Sequence, residues 1–115
     1  MLIENKALSV NDIATVRLVS GEEIVGRVTA IRDSSITITK PVHVLARMVQ
    51  QDDGSVGAQI QFAPFMYSVA EAASFEFDFK KLALAPIKTN TDVATSYRAM
   101  TSDIVQPKAP GLLIP

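Results

Sequence analysis

The chain has 115 residues, enough for one domain with one modest core and too few for two ordinary domains. Eleven Lys and Arg against twelve Asp and Glu leave a net charge of −1, which excludes whole-molecule attraction to nucleic acid and confines any such site to a local patch. With no cysteine there is no disulfide, thiolate metal site or cysteine nucleophile.

Residues 2–13 mix apolar and polar residues without a clean period, so at most a short strand or one helical turn is expected there, with Ser9-x-x-Asp12 as a weak capping pattern. Residues 15–19, β-branched or Leu apart from Arg17, read as a strand, followed by a turn at Ser20-Gly21. A longer strand over 24–32 contains Gly26, and a glycine inside a strand marks a bulge or sharp bend. Over 35–39, Ile36 and Ile38 alternate with Thr37 and Thr39, the period of a half-buried strand. Pro41 cannot donate to a ladder and is expected at a bulge or edge before the apolar run 42–49.

Residues 50–57, QQDDGSVG, form the clearest hairpin loop, with Asp53-Gly54 supplying the turn, so that 42–49 and 58–69 are expected to pair antiparallel. Pro64 places the second arm at an edge or breaks it. Phe75, Phe77 and Phe79 then alternate with Glu76, Asp78 and Lys80, placing three aromatics on one face, either a core or subunit interface or a stacking surface for single strands. A last strand is expected over 82–87, ending near Pro86. Residues 89–103 read as the one helix, with Thr or Asn as N-cap, Asp92 in its first turn, and Val93, Tyr97, Met100 and Ile104 on one stripe. The tail QPKAPGLLIP reads as extended, with Leu112, Leu113 and Ile114 packing on a neighbouring subunit or serving as a docking peptide.

The run 16–38, VRLVSGEEIVGRVTAIRDSSITI, resembles the first Sm motif of the Sm, LSm and Hfq superfamily of ring-forming RNA-binding proteins, with Val16, Leu18, Gly21, Gly26, Val28, Ile31 and Asp33 at its places in order. The resemblance implies an all-β fold, a strongly bent five-stranded Sm-like barrel of the SH3-like type over 1–88. The helix and Pro-rich tail of 89–115 belong to the same unit, although the family's usual helix precedes the first strand. It also implies a cyclic homo-oligomer of about five to seven copies joined edge to edge, since ring closure removes exposed strand edges. The form looks most like bacterial or phage Sm-like proteins.

In the family, the turn after the motif's Asp holds an aromatic or His and an Asn, and a second turn holds Arg-Gly. Here Asp33 is followed by Ser34-Ser35-Ile36-Thr37, and the second place holds Phe79-Lys80-Lys81. The conventional uridine pocket is therefore not reproduced, and the candidate RNA-binding residues are Arg32, Asp33, Ser34, Ser35, Lys80 and Lys81. Two functions stay open: a ring that binds single-stranded RNA through these residues, and a structural or adaptor ring whose helix and tail bind protein.

An enzyme is not expected, because no nucleophile, base and orienting group can be assembled. His43 reads as an ordinary strand histidine, and Asp52-Asp53 as turn residues rather than a cation site. Gly21-x-x-x-x-Gly26 lacks the Lys-Ser/Thr of a phosphate loop. Neither a cofactor nor a metal site is expected. No run approaches the roughly 18 apolar residues that span a bilayer, and the N-terminus lacks a secretory apolar run, so a cytoplasmic location without membrane contact is expected.

Overall fold

A computed structural model describes residues 8–70 and 72–101. The alternating segments become antiparallel strands: β1 (Ile13–Arg17), β2 (Glu23–Ile31), β3 (Ser35–Gln50), β4 (Val56–Pro64), β5 (Ser74–Asp78) and β6 (Ile87–Lys88). A 3-10 turn, Phe79–Lys81, follows β5, and α1 (Thr91–Thr101) follows β6. The sheet runs β4-β3-β2-β1-β6, with β5 also paired to β3.

The long strand β3 organises the molecule. Its first part, Ser35 to Thr39, pairs with β5, and its second part, Val42 to Gln50, pairs with β4, while β2 runs along its other edge. The two stretches expected as separate strands are thus one bent strand of 16 residues. The bend falls at Lys40 and Pro41. Lys40 has φ 55, in the left-handed region, and Pro41 lacks an N–H. Between the pairs Val25–Val42 and Arg27–Thr39, β3 therefore takes three steps against two on β2.

Gly26 faces this bulge. A Cβ there would lie 3.2 Å from both Pro41 Cα and the Thr39 carbonyl oxygen and would run into the Ile38 side chain. The strand that serves two halves of the sheet is β3, and Gly26 is the gap that lets β3 fold inward against β2.

Three sequence expectations change. The arm expected over 58–69 ends at Pro64, and residues 65–69 lie outside any strand. The strand expected over 82–87 reduces to a Leu18–Leu82 bridge and to β6 on Ala14 and Thr15. The reason is a length mismatch: Ala83 N–H donates to the Arg17 carbonyl at 2.8 Å and Ile87 pairs with Thr15, so four steps on this segment oppose two on β1. Residues 84–86 bulge out, helped by Pro86. As a result the sheet stays unclosed, with the 3-10 turn and one bridge where a barrel would carry a continuous ladder. Ser9 and Asp12 do bond, Ser9 N–H to Asp12 Oδ2 at 2.9 Å, but they close a turn and no helix follows.

Strand alternation sends side chains to two faces, and each face has its own core. Ala14, Val16, Ile24, Val28, Ile36, Ile38, Phe77 and Leu82 fill the inside of the bend, joined by Phe65, Phe75 and Phe79. The aromatic alternation is therefore core. Phe65 packs against it, with ring centroids 5.2 Å from Phe75 and 5.8 Å from Phe77.

On the opposite face Ile13, Val25 and Val42 meet Ala94 and Tyr97 of α1, with Val44, Phe62 and Val93 around them. The Asn90 side chain caps α1, its Oδ1 accepting the Val93 N–H at 2.9 Å. Tyr97 fastens the helix: its hydroxyl donates to the carbonyls of Lys40 (2.6 Å) and Thr39 (3.1 Å) at the bend. The docked stripe is Val93, Ala94 and Tyr97, whereas Met100 is exposed. Ile104, Asp103 and the apolar tail lie outside the described residues, as does most of the N-terminal segment.

Candidate nucleic-acid interface

The β2–β3 turn holds Arg32, Asp33 and Ser34, and the 3-10 turn holds Lys80 and Lys81. Ladder geometry brings the two turns together. Ser35 pairs with Asp78 at the end of the β3–β5 ladder, and beyond it the Phe79 N–H donates to the Ser34 carbonyl at 2.9 Å. Arg32, Asp33, Ser34, Lys80 and Lys81 are all exposed there. The Asp78 carboxylate caps the second turn by accepting the Lys80 N–H at 2.8 Å, and the Lys81 carbonyl accepts from Val19 N–H at 3.1 Å.

Ser35 departs from its expected place. It is 5% exposed, and its hydroxyl donates to Glu76 Oε2 at 2.6 Å, so it supports the turn and offers no surface to a ligand. The same Glu76 oxygen lies 3.8 Å from Arg32 Nη1, which also donates to Thr37 Oγ1 at 3.2 Å. Glu76 is not among the sequence candidates: alternation puts it opposite the Phe side chains, but its link to Ser35 and Arg32 comes from the β3–β5 register. With Asp33, Glu76 and Asp78 against Arg32, Lys80 and Lys81, the cluster carries three charges of each sign. Phe79 packs against the core, leaving no described aromatic of this cluster as a platform for a base.

The remaining sequence candidates resolve simply. His43 pairs with Ile24 and Ala63 on its strand neighbours, and its ring stacks on Phe65 at 6.4 Å. Asp53 is a turn residue: its Oδ1 accepts the Ser55 N–H (2.9 Å) and hydroxyl (2.6 Å), which hold its carboxyl below the usual range, and Gly54 takes φ 89. The Ser20 hydroxyl does the same for the Glu22 carboxyl in the β1–β2 turn. Gly21, with φ 108, is likewise a turn glycine. Among the described residues no three His, Cys, Asp or Glu side chains gather as metal ligands, and no helix is long and apolar enough to cross a membrane.

A second feature lies on the helix side of the sheet. At the N-terminal end of α1 lies a groove of about 340 Å³ lined by Val25, Val44, Ile60, Ile87 and Val93, with Glu23 and Lys88 also lining it. Farther along, the β3–β4 hairpin is exposed on both faces, including Met48 at 68% and Val56 at 61%. Compared with known proteins, the sequence matches no family model and no curated protein.

Proposed function

We propose that this chain is the subunit of an Sm-like ring that holds single-stranded RNA through the paired turns around Arg32, Asp33, Ser34, Lys80 and Lys81. The observation that carries this reading is the Ser34–Phe79 hydrogen bond, which brings together two turns far apart in sequence that, in the resembled family, jointly form the RNA site. The long bent β3 and the order β4-β3-β2-β1-β6 are what a bent small barrel of that kind needs. Ring formation is supported by the outer edges of β4 and β6, each paired on one side only among the described residues. Edge-to-edge association of copies would satisfy both. A ring also repeats Lys80 and Lys81 around an annulus, so a chain with net charge −1 can still present a local basic path.

The balanced charge of the turn cluster favours a second reading, a structural or adaptor ring whose ligand is protein. Fluorescence anisotropy on a short uridine- or adenine-rich strand at several salt concentrations separates the two. For RNA, affinity falls steeply with salt, and replacing both Lys80 and Lys81 by Ala lowers the log–log slope by about 1.4, taking roughly 0.7 per phosphate contact on single strands. Glu76→Gln keeps an acceptor for Ser35 and removes the charge beside Arg32, so it should tighten binding. Absence of binding at low salt, or indifference to both lysines, hands the case to the adaptor.

A further inference from the structure

The apolar face that α1 covers does not end where the helix ends. Directly opposed residues of an antiparallel pair share a face, so Val42, Val44, Phe62, Ala46 and Ile60 form one stripe along the hairpin. Val42, Val44 and Phe62 lie under Val93, Ala94 and Tyr97. Past the first turn of α1 the cover stops, leaving Ile60 46% and Ile87 54% exposed in the lining of the groove. Of the two charged groups lining it, Glu23 is already paired with Arg17 at 3.3 Å and Lys88 is solvent-exposed, so neither is committed to an ionic ligand in the groove. Its chemistry fits a short aliphatic segment.

We propose that the groove seats residues 112–114 of the same chain, Leu-Leu-Ile. The length of chain and its point of departure carry the argument. Helix α1 starts at the groove, through Asn90 and Val93, and ends at the sheet bend, where Lys40 Nζ donates to the Thr101 carbonyl at 3.2 Å. Eleven helical residues cover about 16 Å. The ten residues 102–111 reach up to about 33 Å when extended, enough to return along the helix with slack for a turn. Leu112, Leu113 and Ile114 are the one uninterrupted apolar triplet in this stretch, preceded by Pro110-Gly111 and followed by Pro115. Pro115 restricts the backbone of Ile114 before it and so reduces the conformational entropy that residue loses when seated. The docking is independent of any RNA binding by the turns on the other side of the fold.

The protein lacks both Cys and Trp, which makes two clean probes available. In the full chain, Ile87→Cys with Leu113→Cys creates one thiol pair at exposed or tail positions. Mild oxidation at low micromolar concentration should give an intrachain disulfide, seen as faster non-reducing migration at monomer mass. Asp53→Cys with Leu113→Cys should stay reduced, because the hairpin tip stands about 40 Å from Lys40 along the strand, a distance the twelve residues 102–113 span only when fully extended and not when the tail is seated in the groove. Interchain disulfides would overturn the proposal by giving the groove to a neighbour's tail, and no disulfide at position 87 would overturn it outright. As a second readout, Leu113→Trp should show blue-shifted emission that is lost when Ile60→Glu is added. Equal, solvent-like emission from both would also overturn it.

Discussion

At the residue scale the bend is a matter of a few tenths of an ångström. The 3.2 Å approach of Pro41 Cα and Thr39 O to a Cβ at position 26 is tighter than ordinary contact, and the Ile38 side chain occupies the remaining space. Gly26→Ala would gain about 0.4–1 kcal/mol by restricting the unfolded chain. Overpacking a tight site costs about 1–3 kcal/mol, so the clash wins, and for Gly26→Val it wins by more. Chemical denaturation should show destabilisation in that range for Gly26→Val, and an unchanged midpoint would mean that β3 does not depend on this gap. Gly26 was legible in the sequence as a bend marker, but the partner of the bend was not. Lys40 carries a left-handed φ with no glycine or Asn-Gly signal to announce it, since the strain is imposed by β3 having to satisfy β5 and β4 on the same edge.

At the element scale, the strand expected over 24–32 stands within one residue, the one over 15–19 lies two residues earlier at Ile13–Arg17, and the alternation of 35–39 marks only the first part of β3. What alternation could not give was continuity across Pro41 or the loss of the strand at 84–86. Both are set by how many residues the partner strand offers, which is a tertiary quantity. The candidate site was legible in the same partial way. Lys80-Lys81 and the Asp33 turn stood out as motifs, whereas Glu76 entered only through the β3–β5 register that turns it toward Ser35 and Arg32.

The helix offers the sharpest test of packing at this scale. Tyr97 is fully buried, and burial pushes its phenol above the ordinary value of 10. Tyr97→Phe removes the bonds to the Thr39 and Lys40 carbonyls and should cost about 1–2 kcal/mol near neutral pH. The pH dependence has a definite sign. A group whose folded pKa is raised keeps its proton longer in the native state than in the unfolded chain, so its stabilisation is whole below pH 10 and is lost as the pH rises through the native value. The difference in melting temperature between wild type and Tyr97→Phe should therefore narrow in alkali. A gap that stays constant would mean that the hydroxyl does not hold the helix.

At the scale of the whole molecule, the hairpin formed by β3 beyond Val44 and by β4 is anomalous for a lone subunit. A two-stranded ribbon exposed on both faces is marginal in water, because it buries too little apolar surface to offset the ordering of its backbone. Yet this one carries Met48, Val56 and Ile60 outward and presents an edge that no described strand pairs. An assembly that pairs the β4 edge with the β6 edge of a second copy supplies what the hairpin lacks, and the twist between copies closes such head-to-tail contacts into a ring rather than a filament only if the rotation fits. Light scattering should therefore return a discrete multiple of 12.4 kDa that holds across micromolar concentrations. Met48→Glu with Val56→Glu places two charges on the hairpin and should shift that mass downward while circular dichroism keeps its β signature. Residues 84–86 lie outside any strand, so the decisive edge is β4. A wild-type monomer would remove the ring and leave the exposed hairpin to be explained by a partner other than a copy of this chain.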